Sequence, residues 1–380
     1  MSNDRTGTTV RAASTREADL TMRTDCESPS GRKIRNAAES SPLPSVRRRG
    51  TAPHPRGTRE PAPVRALRTY ASMTTTPSVV CPVDFSEPSR TALQYASVIA
   101  DHFGARLIVV SVDDPLLASA AESAGLPSMA QETRQELLRF VADTLPKAPA
   151  PAATMDVQVC AGKPAQEILR VAREARADLI VMSSHGRSGL SKRFFGSTTE
   201  RVLRETTTPV LVTPKHAERA WSVSAMSRYV RHVLAPVDLT PASRHQVTIA
   251  AGIAAGLEVP LILAHVLEPV YVPPRVRLAV PGSDQERRAS VEAQLFELVE
   301  RSGMRTVVDA VVLTGDASEE IVRLADIRGA GLIVMGLHSS GMLGPRMGSV
   351  TYRVLCLARS LVLALPPVAL EAGSHREEST

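Results

Sequence analysis

Aromatic residues are scarce in this chain: one Trp, five Tyr and six Phe make up 3% of 380 residues. Any core must therefore be built from Val, Leu, Ile and Ala. Long apolar runs are missing too. None approaches the ~20 residues needed to span a bilayer, and the N-terminus has no apolar core of a secretory signal. Cysteine is limited to Cys26, Cys81, Cys160 and Cys356. No two form a CxxC pair and no His cluster accompanies them, which points to free thiols in a reducing cytoplasm rather than disulfides or zinc. GxxxxGK[ST] is absent, as is GxGxxG after the first strand. The segment "DFSEPSR" at that place contains no glycine, which argues against a dehydrogenase and a P-loop motor. No Ser/His/Asp or Cys/His arrangement stands out, and no metal-ligand spacing is visible.

What charge there is sits unevenly. The net charge is +6, while residues 1–72 hold thirteen Arg and one Lys against three Asp and four Glu. The rest is close to neutral, so no basic face for nucleic acid is expected on the folded part. Residues 1–75 are rich in Arg, Pro and Ser without a sustained period, and are expected to be a disordered tail. Met73, just before the first strand, offers an alternative start.

Beyond the tail the chain repeats itself. "SVVCPVDFSEPSR" at 78 returns as "HVLAPVDLTPASR" at 232, and "VCAGKPAQEILRVA" at 159 as "VLTGDASEEIVRLA" at 312. "ADLIVMSSHGRSG" at 177 returns as "AGLIVMGLHSSG" at 330, and "FGSTTERVLRE" at 195 as "MGSVTYRVLCL" at 347. Blocks in one order at nearly fixed spacing indicate a duplicated domain, since the period far exceeds a solenoid repeat. In each unit, continuous Val/Leu/Ile runs alternate with helical patterns. Ser86 can cap the first helix, whose Ala92, Tyr95, Ala96, Ile99 and Phe103 share a face; Thr240 can cap its counterpart, with Pro241 at the first helical position. Pro164 opens a later helix. The pattern predicts an α/β fold: two tandem Rossmann-like, doubly wound domains with parallel sheets. Ligands of such sheets sit beyond the carboxyl ends of the strands, where strand order reverses.

The stretch "SSHGRSGLSKRFFGST", residues 183–198, falls at such an end. Its glycines let backbone N–H groups approach an anion, and the helix that follows adds its positive end. Asp84, Val112 and Met182 fall at neighbouring strand ends. His185 and His338 recur at matching places, where a loop-stabilising hydrogen bond is expected before general-base work. Lys192 and Arg193 fit a phosphate or a solvated face equally well.

"PVDFSEPS" and "HGRSGLSKRFFGST", with the distance between them, resemble the universal stress proteins, and the resemblance covers both repeats. It implies adenine nucleotide alpha hydrolase-like domains with five-stranded parallel sheets at 76–216 and 229–366, a linker at 217–228 and a disordered tail at 367–380. In nucleotide-binding members the loop reads G-x2-G-x9-G-[ST]. Here Ser183 stands at the first glycine, Gly186 at the second, and Gly196-Ser197 at the end. By the same resemblance Asp84, with Pro82 and Val83, meets the adenosine end, and Val112 meets adenine. Met182 and Ser183 lie against the nucleotide. Gly186, Gly196, Ser197 and Thr198 hold the phosphates, with Arg187 and Gly189 as further loop contributors.

In the second unit Pro236, Asp238, Val266, Met335, Gly336, Gly348 and Ser349 match. Ser339 replaces the second glycine, one loop residue is missing, Pro345 stiffens the loop, and Arg346 is its one basic residue. Weak binding or none is expected there, with a mainly structural role.

The resemblance implies a cytoplasmic stress-response module that binds ATP, ADP or AMP, with Mg2+ brought by the nucleotide. A slow ATPase or nucleotidyl-transfer enzyme is the alternative, and an interaction protein that binds no nucleotide is the third reading. The candidate last strands, "TPVLVTP" at 208 and "SLVLALP" at 360, present edges that want partners. An intramolecular pseudo-dimer is expected, with a homodimer as a further option, and no membrane partner.

Overall fold

The computed structural model of the chain describes residues 76–124, 128–145, 154–186, 196–215, 222, 226, 228–269, 284–301, 308–337 and 347–367. The expected N-terminal tail, most of the linker and all but the first residue of the C-terminal tail lie outside them.

The first half runs β1 (Ser78–Pro82), α1 (Glu87–Phe103), β2 (Arg106–Asp113), α2 (Pro115–Ser123), α3 (Met129–Thr144), β3 (Met155–Ala161), α4 (Pro164–Glu174), β4 (Leu179–Ser183), α5 (Ser197–Glu205) and β5 (Val210–Thr213). The second half repeats the order as β6 (Val233–Pro236), α6 (Ser243–Gly256), β7 (Leu261–Leu267), α7 (Asp284–Arg301), β8 (Val308–Thr314), α8 (Ala317–Arg328), β9 (Leu332–Gly336), α9 (Ser349–Leu357) and β10 (Leu361–Leu365).

All ten strands form one sheet in the order β3-β2-β1-β4-β5-β10-β9-β6-β7-β8. Within each half every neighbouring pair is parallel. The halves meet through their last strands, which pair antiparallel with Val212 opposite Val362 and Leu211 opposite Leu363. Each last strand thereby covers the edge the other would leave open. At the outer edges, a helix arginine reaches the strand: Arg134 donates to the Val157 carbonyl at 2.8 Å and Arg288 to that of Val312 at 2.8 Å.

Successive strand residues face opposite sides of the sheet, and helices cover both. Val79, Leu107, Val181, Leu211, Val233, Leu261 and Val334 belong to one buried cluster. Val80, Ile108, Ile180, Val212, Leu234, Ile262 and Ile333 belong to the other. Burial on both faces is why the strands read as unbroken aliphatic runs. Full burial of one such side chain contributes about 1.5–3 kcal/mol, so few aromatics are needed. Cys81 is fully buried in this core. Burial pushes its thiol up, which makes it an inert packing group.

Helix starts follow their capping residues. Ser86 accepts a hydrogen bond from the Ser89 N–H at 3.3 Å, capping α1 as expected, and α1 ends at Gly104 in the left-handed region, φ +59°. Pro164 sits in the first turn of α4. The second half departs from expectation at α6. That helix starts at Ser243 rather than Pro241, and Thr240 does not cap it. The Thr240 hydroxyl instead donates to Asp238 at 2.7 Å, which leaves residues 240–242 as a turn closed by the Ser243 N–H on the Thr240 carbonyl.

Candidate functional site

The strand order reverses between β1 and β4: β2 and β3 lie on one side, β4 and β5 on the other. The pairing there is short, ending at Val80 opposite Ile180. By contrast β1 follows β2 through Pro82 opposite Val110. Beyond Val80 the backbone pairing of β1 with β4 stops, at the carboxyl ends where ligands of such sheets sit. The second half repeats this between β6 and β9, whose pairing ends at Leu234 opposite Ile333.

Chain direction brings the sequence candidates to these ends. Pro82 closes β1, and the buried Val83 donates its N–H to the Val110 carbonyl at 2.9 Å. Asp84 follows, two residues beyond the strand. Val112 lies near the end of β2, two residues past Val110. Met182 and Ser183 end β4, and Gly196, Ser197 and Thr198 open α5. In the second half Pro236 ends β6, Asp238 follows it, Val266 lies on β7, Met335 and Gly336 end β9, and Gly348 and Ser349 open α9. Arg187, Gly189, Lys192, Arg193, His338, Ser339, Pro345 and Arg346 lie outside the described residues.

One oxygen of Asp84 accepts from the Ser86 N–H at 3.2 Å and the Ser86 hydroxyl at 2.5 Å. The other faces Gly186 so closely that a Cβ on Gly186 would stand 2.5 Å from it. A Cβ there would have to push the Asp84 carboxylate aside, which glycine avoids where the loop after β4 crosses the end of β1. The next residue, Phe85, holds φ +64°, as Leu239 holds φ +59° after Asp238. Such values are unusual for large side chains and cost about 1–3 kcal/mol. Edge-on packing of Phe85 against Phe140, with Arg90 over the Phe140 ring, holds the first turn in place.

The β4 end is tied to α5. The Gly196 N–H donates to the Ser184 carbonyl at 2.9 Å, and the Thr199 hydroxyl donates to the Ser183 carbonyl at 2.9 Å. The Ser183 hydroxyl donates to the His185 carbonyl at 2.7 Å, and Ser184 Oγ lies 2.9 Å from His185 Nδ1. His185 therefore sits within the loop's own bonding. Because the Gly196 N–H is used inside the protein, the donors left for an anion are the next N–H groups of α5, which have no acceptor within a helix. The second half keeps both backbone ties: the Gly348 N–H donates to Leu337 and the Thr351 hydroxyl to Gly336, each at 2.9 Å. Thr199 and Thr351 were missed in the sequence, although their recurrence at matching positions was a signal. Asp113, buried beside Val112, accepts from the Thr133 hydroxyl at 3.0 Å.

Among the described residues no group of three His, Cys, Asp or Glu could hold a metal ion, and no helix is long and apolar enough to cross a membrane.

Each half is thus a parallel, doubly wound α/β unit with a helix N-terminus and a short acidic side chain at its switch point. The family model of the universal stress protein family matches residues 76–214 and 230–366, so the chain belongs to that family as a tandem member. Universal stress protein MJ0531 of Methanocaldococcus jannaschii is 33% identical over 141 residues, covering 36% of this chain and 81% of that protein. The crystal structure of a universal stress protein from Archaeoglobus fulgidus has a TM-score of 0.55 at 19% identity, covering 76% of this chain and 98% of its own. A further solved universal stress protein, in complex with cAMP, is 25% identical with a TM-score of 0.28, covering 36% of this chain and 95% of its own.

Proposed function

We propose that the first half binds an adenine nucleotide, ATP or else ADP or AMP, and that the protein acts as a regulatory module in the cytoplasm rather than as an enzyme. The observation that carries this reading is the meeting of Gly186 with Asp84 over the carboxyl ends of β1 and β4, with the α5 N-terminus beside it. The base end would lie toward Asp84 and Val112. The phosphates would lie toward Ser197 and Thr198, where free N–H groups and the helix dipole favour negative charge. Mg2+ would arrive on the phosphates. Bound nucleotide stabilises whichever conformation closes over it, by mass action. The second half, with Leu337 and Leu365 at its strand ends, serves as scaffold.

Isothermal titration of the full chain with ATP, ADP, AMP and cAMP tests this. One saturable site per chain is expected. Gly186→Val should weaken it at least ~100-fold, about 2.8 kcal/mol, because its side chain must displace the Asp84 carboxylate. No saturable heat at high micromolar nucleotide would leave an interaction protein of the same fold. Two equivalent sites would restore the second half as a binder. Steady ATP turnover, lost in Asp84→Ala with binding retained, would make the protein an ATPase.

A further inference from the structure

Proline ends β1 and β6, one strand at each switch point, and it has no N–H to offer. Val237 donates to Ala264 on β7 at 2.8 Å. Alternation along a strand therefore turns residue 236 toward β9, where Pro236 cannot donate to the facing carbonyl of Val334. A buried carbonyl without a donor costs about 1–3 kcal/mol. In the second half a side chain supplies the donor. Gln246, buried on α6, gives its amide N–H groups to the Pro236 carbonyl at 2.6 Å and the Val334 carbonyl at 2.9 Å. One amide thus joins β6 to β9 one step beyond their last backbone pairing.

The first half has the same proline, and a different residue at the place of Gln246. Val83 donates to Val110 on β2, so Pro82 faces β4; Ile180 donates its N–H to the Pro209 carbonyl, just before β5, so Val181 faces β1. The residue matching Gln246, at the 154-residue spacing of Asp84 and Asp238, is Ala92, fully buried and without an amide.

We infer that Gln246 is a positioning residue that locks the strand gap of the second half, while Ala92 leaves the gap of the first half free to change width. The device is independent of any ligand, so it stands or falls separately from nucleotide binding.

Hydrogen exchange of the full-length, nucleotide-free chain tests it, with rates corrected for local sequence. In the wild type, peptides covering 233–240 and 332–337 should exchange at least tenfold more slowly than those covering 79–86 and 179–184. Gln246→Leu keeps the bulk and removes both donors. It should erase that difference locally and leave the first half unchanged. Equal or reversed rates in the wild type would overturn the inference, whether or not the variant folds. So would a Gln246→Leu protein that keeps slow exchange, or one whose exchange rises uniformly along the chain.

Discussion

Ser184 and Thr213 stand in the first half where Leu337 and Leu365 stand in the second. The backbone bonds at the two places are the same: Ser184 N–H to the Thr213 carbonyl at 2.9 Å, Leu337 N–H to the Leu365 carbonyl at 2.8 Å. In the first half the hydroxyl of Thr213 is buried and has no hydrogen-bond partner among the described residues, which the apolar pair of the second half avoids. A similar contrast lies at the next helix. Asp316 caps α8, accepting from the Glu319 N–H at 3.0 Å, and pairs with Arg353 on α9 at 2.6 Å. Hydrogen bonds from Ser318, the Glu319 N–H and Arg353 hold its carboxyl down at about 2. Lys163 precedes α4 at the matching place and makes no capping bond. Backbone geometry was thus copied with little change, while side chains at the strand ends diverged. The second half gathered stabilising contacts, and the first kept polar groups at its strand ends.

The comparison breaks first if the cores are unequal. Ile180 and Ile333 occupy the same place in the sheet, and both are fully buried. Ile180→Ala and Ile333→Ala should each cost about 2–5 kcal/mol, within roughly 1 kcal/mol of one another, as read from denaturant midpoints. A larger gap would show that divergence reaches the core.

The glycines before α5 and α9 sharpen it. A Cβ on Gly196 would lie 3.3 Å from the Ser184 carbonyl, whereas one on Gly348 has 3.9 Å to the Leu337 carbonyl. Gly348→Ala should cost about 0.5–1 kcal/mol through the poorer cap. Gly196→Ala should cost about 1 kcal/mol more through overpacking. Equal shifts in thermal midpoint would mean that the first loop yields as easily as the second.

The smallest effect is expected at the opposite end of the sheet. Ser78 there donates its N–H to Asp178 at 2.8 Å; the second half has His232 and Gly331 instead. His232 Nδ1 is buried and has no hydrogen-bond partner among the described residues. Burial first, then the charge of Arg328 with that of Arg231, outweighs a hydrogen bond with the Arg328 backbone and the charge of Asp309, and holds its pKa below the ordinary 6.5. The unfolded chain then takes up this proton first as pH falls. The stability conferred by the neutral ring is complete above about 6.5 and is lost as pH drops through the lower folded value. His232→Ser should flatten the thermal midpoint's fall between pH 7 and 5; an unchanged slope would place that titration elsewhere, with His245, also lowered by burial, as the next group to replace.

Much of this architecture was legible in the chain. Aliphatic runs with both faces apolar marked the parallel strands, and Ser86 and Pro164 marked helix starts because their bonding needs are local. Thr240 looked equally suited to cap, but Asp238 takes its hydroxyl and that of Ser243 at 2.8 Å. Competition between nearby acceptors decides such a case, and spacing does not show it. Gly186 was legible as a glycine of the loop, while its reason, the Asp84 carboxylate a hundred residues away, was not. Gln246 gave no sign at all, since its two acceptors lie on different strands.

Duplication, strand direction and the placing of candidate residues beyond the strand ends follow from the amino-acid sequence alone, because hydrophobic period and repeat spacing are properties of the chain. Tertiary structure alone decided which polar groups meet across the gap between β1 and β4, and which across the gap between β6 and β9. Hydrogen bonds form between atoms that are close in space, and the missing N–H of a proline is felt by whatever strand happens to lie beside it.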